Sequence, residues 1–156
     1  MTERRLSQGI RKLGTLCAPF VFCVAAQAGP AWDMFEARCL DPFEHQAEAI
    51  VDGLAAQPVE QMHEAQLVFA AAGGALLVLD AAPTDGNRAC SVVMQGDVAL
   101  DPAYLAWAGD VTARQVYVAQ GGVLASAEWI EPQVHVVARL DTAGATYRVL
   151  ETDLES

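Results

Sequence analysis

The chain has 156 residues, of which 20 are acidic and 9 are basic, so its net charge is −11 at pH 7. Binding of phosphate groups needs clustered lysines or arginines, and this charge argues against nucleic acids and anionic membrane surfaces as partners. The length is sufficient for one domain with its own hydrophobic core.

The first 28 residues have the pattern of a secretory signal peptide. The basic residues lie at its start (Arg4, Arg5, Arg11 and Lys12), and an apolar run follows from Leu13 to Ala26. Ala26-Gln27-Ala28 fits the small-x-small rule for a processing site. The apolar run has 14 residues, whereas a helix that spans a bilayer needs about 20. We therefore predict cleavage after Ala28, no membrane insertion after cleavage, and a periplasmic or secreted protein; an uncleaved anchor is the alternative.

Residues 29–156 are expected to form a single domain with five arginines, nineteen acids and no lysine, a balance of −14. Cys39 and Cys90 are its only cysteines. Because exported proteins fold in an oxidising compartment, this pair predicts one disulfide. Closing a loop of about 50 residues stabilises a fold by roughly 4 kcal/mol in the chain-entropy description. Two free thiols or a metal-binding pair are the alternatives, and the absence of a C-x-x-C motif disfavours redox catalysis.

The first element of the predicted domain is a helical arm. Trp32, Phe35 and Cys39 recur at helical spacing. Asp41-Pro42 has the pattern of a fresh helix start, with Asp41 as the N-cap and Pro42 in the first turn. An apolar stripe predicts that this second helix continues as far as Gly53, through Phe43, Ala47, Ile50 and Leu54. We therefore expect one arm with a break or kink near Asp41-Pro42.

The rest of the chain alternates between apolar strand segments and turns. Gly73-Gly74 and Asp141–Gly144 have the composition of hairpin turns, and Asp101-Pro102 predicts the start of a second, short helix. The fold class is α+β, with the arm packed on a mostly antiparallel sheet of about six to seven strands. The predicted strands are 66–70, 75–79, 88–94, 115–120, 123–129, 133–140 and 146–152.

A weak internal repeat runs through the sequence. Val68–Leu76 resembles Val116–Leu124 at an offset of 48 residues, and each copy follows a helix opened by Asp-Pro. We favour the interpretation that these are two unrelated hairpins in a chain rich in alanine, valine and glycine. The alternative is that the chain consists of two helix-plus-three-strand units that share one sheet.

No motif predicts a catalytic, cofactor-binding or metal-binding site. His45 lies beside Glu44 and three residues before Glu48, and His63-Glu64 follows later, but no H-E-x-x-H spacing is present. No serine lies in a G-x-S-x-G motif, and the chain has no phosphate-binding glycine loop. The sequence therefore predicts no catalytic residue, cofactor or metal ligand.

These patterns favour an exported, non-enzymatic module that binds or supports an unidentified protein or envelope component. Two alternatives belong to other classes. The first is a small periplasmic hydrolase or metal-dependent enzyme that uses His45 with nearby carboxylates. The second is an inhibitor-like module that engages an enzyme through the loop Pro83–Asn87.

Overall fold

A computed structural model describes residues 30–58, 66–80, 88–96, 98–127 and 133–152. The predicted signal peptide, His63 and the loop Pro83–Asn87 lie outside the described residues.

The described residues form one antiparallel sheet of eight strands and two helical regions, which confirms the α+β class. The order of the strands across the sheet is β1-β2-β3-β4-β8-β7-β6-β5. The bounds are β1 Ala55–Ala56, β2 Gln66–Ala70, β3 Ala75–Asp80, β4 Ala89–Gln95, β5 Tyr117–Gln120, β6 Val123–Ser126, β7 Gln133–Asp141 and β8 Gly144–Thr152.

The same order of elements occurs twice along the chain. A helical region precedes the meander β1–β4, and the helix α3, Pro102–Ala113, precedes the meander β5–β8. The last strand of each meander lies at the centre of the sheet, where β4 pairs with β8 antiparallel and Val92 faces Tyr147. All seven predicted strands are present. The two-residue strand β1 was not expected, because its alanines lie in a segment that has the composition of a polar connection.

The arm consists of α1, Pro30–Phe35, a π-helical turn, Glu36–Leu40, and α2, Asp41–Glu44. The irregularity predicted near Asp41-Pro42 is this wide turn, which comes immediately before the proline. Pro42 has no N–H to donate to the carbonyl of Arg38, four residues earlier. The Arg38 carbonyl instead accepts a hydrogen bond from the backbone N–H of Ile50, at 2.9 Å.

The prediction that the second helix continues to Gly53 is wrong. The helix ends at Glu44, and Gln46 follows in the left-handed region at φ 58°. The backbone N–H of Ala47 donates to the carbonyl of Pro42 at 2.8 Å, which is the six-to-one bond that closes a helix C-terminus. Ala47 is exposed and Ile50 is 44% exposed, so the middle of the apolar stripe does not face the core as a continued helix would require, although Phe43 and Leu54 at its ends do contact the core.

The two Asp-Pro pairs behave differently. Asp41 has helical angles, φ −58° and ψ −45°, so it is not the predicted N-cap; α1 and the π-helical turn already supply the preceding turns. Asp101 has extended angles, and its carboxylate accepts a hydrogen bond from the N–H of Ala103 at 2.9 Å. The predicted cap at the start of α3 is therefore confirmed. The backbone N–H of Asp101 also donates to the Tyr147 hydroxyl at 2.7 Å, which ties the start of α3 to β8.

The core lies on one side of the sheet, which we call the helix-covered face. On this face, the side chains of alternate strand residues point toward the helices. They include Leu77, Val92, Val136, Tyr147 and Val149, each at most 1% exposed. The helical arm and α3 pack on these side chains. Trp32 lies at the start of the arm. The centroid of its ring is 5.2–5.5 Å from the centroids of four other aromatic rings (Phe35, Tyr104, Trp107 and Tyr147). Aromatic contacts at this spacing stabilise a core beyond the area that they bury.

A disulfide joins Cys39 of the arm to Cys90 of β4, with the Cα atoms 5.5 Å apart, as predicted. Both cysteines are fully buried. The bond fixes the arm at the centre of the sheet, next to the β4–β8 pair. It closes a sequence separation of 51 residues.

We predict that loss of this disulfide lowers the free energy of unfolding by roughly 4 kcal/mol, because the unfolded chain regains the freedom of the closed loop. Urea denaturation of the wild-type protein with and without a reductant measures the loss. The Cys39→Ala/Cys90→Ala variant is the control, since its stability should match the reduced protein and should not respond to the reductant. Equal stability of the oxidised and fully reduced wild type contradicts the prediction.

Candidate functional site

The structure does not bring the carboxylates of Glu44 and Glu48 together with His45. The His45 ring is exposed, and its Nδ1 lies 2.7 Å from the carbonyl oxygen of Asp41. That hydrogen bond, followed by the charge of the Asp41 carboxylate, raises the pKa of His45. Since the helix ends at Glu44, the side chains that follow leave the helical spacing on which the predicted cluster depended.

Each of the two glutamates has another partner. Glu44 accepts a hydrogen bond from the buried Tyr117 hydroxyl at 2.5 Å. Glu48 lies 3.2 Å from the guanidinium of Arg88. Within the described ranges, no three histidine, cysteine or acidic side chains form a group that would hold a metal ion.

Arg88 fastens the segment after the arm to the central strands. Its guanidinium lies over the Phe43 ring, 4.8 Å from the centroid, and donates to the Ala47 carbonyl at 3.0 Å. It also pairs with the carboxylate of Glu151 on β8, with a distance of 2.7 Å from Nε. On the other side of the arm, Arg38 donates to the carbonyls of Ile50 and Asp52, both at 3.0 Å. These two arginines therefore stabilise the fold.

The other side of the sheet, which we call the open face, carries the second set of alternating side chains. In the described part of the chain, both helical regions pack on the helix-covered face, and neither covers this one. A shallow cavity of about 560 Å³ lies on the open face. Ligand sites in proteins have about 300–1,000 Å³, an apolar lining and a few polar groups. The cavity therefore has the size of a small-molecule site.

The floor of the cavity is aliphatic. It is made by side chains from four neighbouring strands, each partly exposed to solvent: Val78, Val93, Val137 and Leu150. Polar side chains surround them: Gln66, Ser91, Arg139, Asp141, Thr146 and Arg148. A sheet face that only met water would be largely polar, as in half-buried antiparallel sheets. Contiguous apolar side chains with a rim of polar residues are the arrangement that exposed binding patches share, and these four lie on neighbouring strands.

Arg139 and Arg148 lie next to each other on the open face. Arg148 faces Val137 across the β7–β8 pair, and Arg139 is two residues further along β7. Side chains in this diagonal relation have Cα atoms about 7–8 Å apart, within reach of long side chains. The Arg148 guanidinium pairs with Asp80 of β3 at 3.1 Å, while Arg139 has no ion-pair partner among the described residues.

The Nε of Arg148 is buried and donates no hydrogen bond to any described group. A buried donor without an acceptor costs about 1–3 kcal/mol. Arg148 as a whole is partly exposed, so the rest of its guanidinium reaches the cavity. The open face thus combines an aliphatic floor with two adjacent guanidinium groups.

A second cavity, of about 590 Å³, lies between α3 and the β5–β6 hairpin. Its lining is mostly small and apolar, and it carries no charged side chain (Tyr104, Ala108, Gly109, Thr112, Ala113, Ala119, Gly122, Val123 and Leu124). Such a lining gives no group that would orient a ligand.

Comparison with family models, with curated proteins and with solved structures finds no match for this chain. The open face therefore has to be interpreted from its own geometry. Among the described helices, none has the length and the apolar character that crossing a bilayer requires.

Sequence reasoning found the disulfide but missed the open face. Along residues 133–140, Val134, Val136 and Ala138 alternate with His135, Val137 and Arg139, which predicts one packed side of this strand but does not identify the opposite side as a surface. The available signal was that Val78, Val93, Val137 and Leu150 occupy positions that alternate with the core positions of their strands. Strands that are apolar on both faces indicate that both faces are used.

The buried tyrosines predict a loss of stability in alkali. Burial, and then the hydrogen bond to Glu44, raises the pKa of Tyr117 far above its usual value, and burial also raises the pKa of Tyr104 and Tyr147. Above pH 10 the unfolded chain releases protons that the folded chain keeps, so the free energy of unfolding falls as the pH rises. The only lysine is Lys12, so tyrosines dominate titration in this range.

We expect Tyr117→Phe to remove roughly 1 kcal/mol of the loss that the wild type shows between pH 9 and pH 11. Urea denaturation across this range measures the difference. Tyr104→Phe is the matched control and should have a smaller effect, since Tyr104 is only half-buried. Identical pH dependence of Tyr117→Phe and the wild type would show that Tyr117 does not keep its proton in the folded state.

Proposed function

We propose that this protein is an exported accessory protein that binds another molecule without catalysing a reaction, and that the open face of its sheet is the binding surface. The observation that carries the proposal is the cavity on that face, with its aliphatic floor and adjacent arginines. Its partner is an envelope component or another exported molecule in the periplasm or the medium.

The charge distribution supports this assignment. Only five arginines lie outside the predicted signal peptide. Arg38 and Arg88 fasten the arm, and Arg114 pairs with Asp110 within the α3 region at 2.9 Å. The other two, Arg139 and Arg148, both lie on the open face of a strongly acidic protein. Arg148 pairs with Asp80, and Arg139 has no ion pair among the described residues. A charged group that has no ion pair is where recognition of a ligand is expected.

The basis for export is the N-terminal pattern: a basic start, an apolar run from Leu13 to Ala26 and a small-x-small processing site at Ala26-Gln27-Ala28.

The first test concerns export. A fusion of residues 1–40 to a reporter enzyme that is active only outside the cytosol should be active, and the processed product should begin at Gly29. A fusion that lacks residues 13–26 is the control and should be inactive. An inactive full fusion, or a product that stays in the cytosol with its N-terminus intact, contradicts the proposal.

The second test concerns the binding surface. A panel of envelope lipids, peptidoglycan fragments and small exported metabolites is added to the purified protein, and methyl resonances are followed by NMR. A ligand should shift Val78, Val93, Val137 and Leu150. Val137→Gln should weaken its binding at least about tenfold, because the change removes apolar contact area from the floor.

The control for the second test is Val118→Gln. Val118 is 47% exposed on β5 and lies away from the cavity lining. The Val118→Gln variant should bind the ligand as tightly as the wild type does. Ligand shifts that map elsewhere, or Val137→Gln binding as tightly as the wild type, would contradict the assignment of the surface.

A further inference from the structure

We propose that the ligand of the open face is an aliphatic molecule with a single carboxylate group, which binds Arg139 and Arg148 while its apolar part lies on the valine and leucine floor. This inference rests on the proposed function of the open face as a binding surface. It adds the chemical class of the ligand.

The floor selects the apolar part. All four floor residues are aliphatic, and none of the described residues that line the cavity is aromatic. Sugars and nucleobases are usually recognised by stacking on aromatic rings, which this surface does not offer. An alkyl chain gains from any dry aliphatic surface, at most about fourfold in affinity for each buried methylene.

The arginine pair selects the head group. Two guanidinium groups face the cavity, and the carboxylate of Asp80 neutralises one of them. Asp80 also accepts from the Gln66 amide at 3.3 Å, so it is held at the β2–β3 side of the face. Asp141 accepts from the N–H of Ala143 at 2.8 Å and shows no ion pair with Arg139. Asp141 also lines the cavity, so the formal charges of the two arginines and the two aspartates sum to zero. Arg139 is the guanidinium whose donors no ion pair occupies among the described residues.

The exposed ends of the two guanidinium groups specify the geometry, because the buried Nε of Arg148 has almost no surface that a ligand can reach. A carboxylate has two acceptor oxygens in a plane and matches planar guanidinium donors. One oxygen accepts from the exposed part of the Arg148 guanidinium, and the other accepts from Arg139. A single negative charge suits the one arginine of the pair that has no ion pair, whereas a multiply charged ligand would meet the repulsion of a domain whose charge is −14 without the predicted signal peptide.

The experiment compares three ligands that share one chain: decanoate, decanol and decyltrimethylammonium, each below its micelle-forming concentration. Binding to the purified protein is measured by calorimetry, with methyl NMR to show that the open face is occupied and that the fold is intact. Decanoate should bind at least tenfold more tightly than decanol, and decyltrimethylammonium most weakly. The preference for decanoate should decrease with added salt, since the site is partly exposed.

Two variants and a matched control test the arginines. Arg139→Gln and Arg148→Gln should each weaken decanoate binding by roughly 10- to 100-fold, the effect of losing a charge-assisted hydrogen bond. Neither should change the affinity for decanol by more than about threefold, which is well below the tenfold change in affinity that 1.4 kcal/mol represents. Arg114→Gln removes the same charge far from the cavity and should bind decanoate as the wild type does. Arg139 has no ion-pair partner among the described residues, so its variant is expected to fold normally.

The outcomes separate this inference from the proposed function. Decanol that binds on the open face as tightly as decanoate, with no effect of the arginine variants, overturns the carboxylate and leaves the open face as a binding surface. Decanoate that shifts only methyl groups outside the open face overturns the ligand class at this site. If no member of the alkyl series or of the wider panel shifts an open-face methyl group, both proposals fail.

Discussion

The attachment of the N-terminal arm to the centre of the sheet determines the rest of this structure. The arm brings Trp32 into a group of four other aromatic rings, the disulfide from Cys39 fixes it to β4, and Arg88 holds the segment that follows against Phe43 and Glu151. All of these contacts lie on one face of the sheet. In the described residues, both helical regions are therefore committed to the same side, and the opposite side remains available for another molecule.

Because both helical regions pack on one face of the sheet, the arginines on the two faces have different contacts. Arg38 and Arg88 bind backbone carbonyls that a longer helix would otherwise have satisfied, so they stabilise the extended segment after Glu44. Arg148 pairs with Asp80, Arg139 has no ion pair among the described residues, and both lie beside an aliphatic floor. The pattern of contacts thus distinguishes the arginines that fasten the arm from those on the open face.

The sequence predicted the α+β class, the seven longer strands, the cap at Asp101 and the disulfide, because each depends on local pattern or on cysteine chemistry. The prediction for the end of the second helix is wrong, because this end depends on hydrogen bonds from Arg38 and on a left-handed backbone conformation at Gln46. No local sequence pattern indicates either of them. The open face was also missed. Its cavity is formed by strands that are distant in sequence, and the adjacency of Arg139 and Arg148 follows from the register of β7 and β8. Asp80 joins this group only through the pairing of β3 with β4 and of β4 with β8.

The central claim is that helices cover one face of the sheet and leave the other accessible, and solvent relaxation by a neutral paramagnetic cosolute measures this most directly. On the same strands, the methyl groups of Val78, Val93, Val137 and Leu150 should relax strongly, while those of Leu77, Val92, Val136 and Val149 should be protected. This alternation along neighbouring residues is the expected result. Equal protection of both sets would show that the open face is covered, and it would contradict the account.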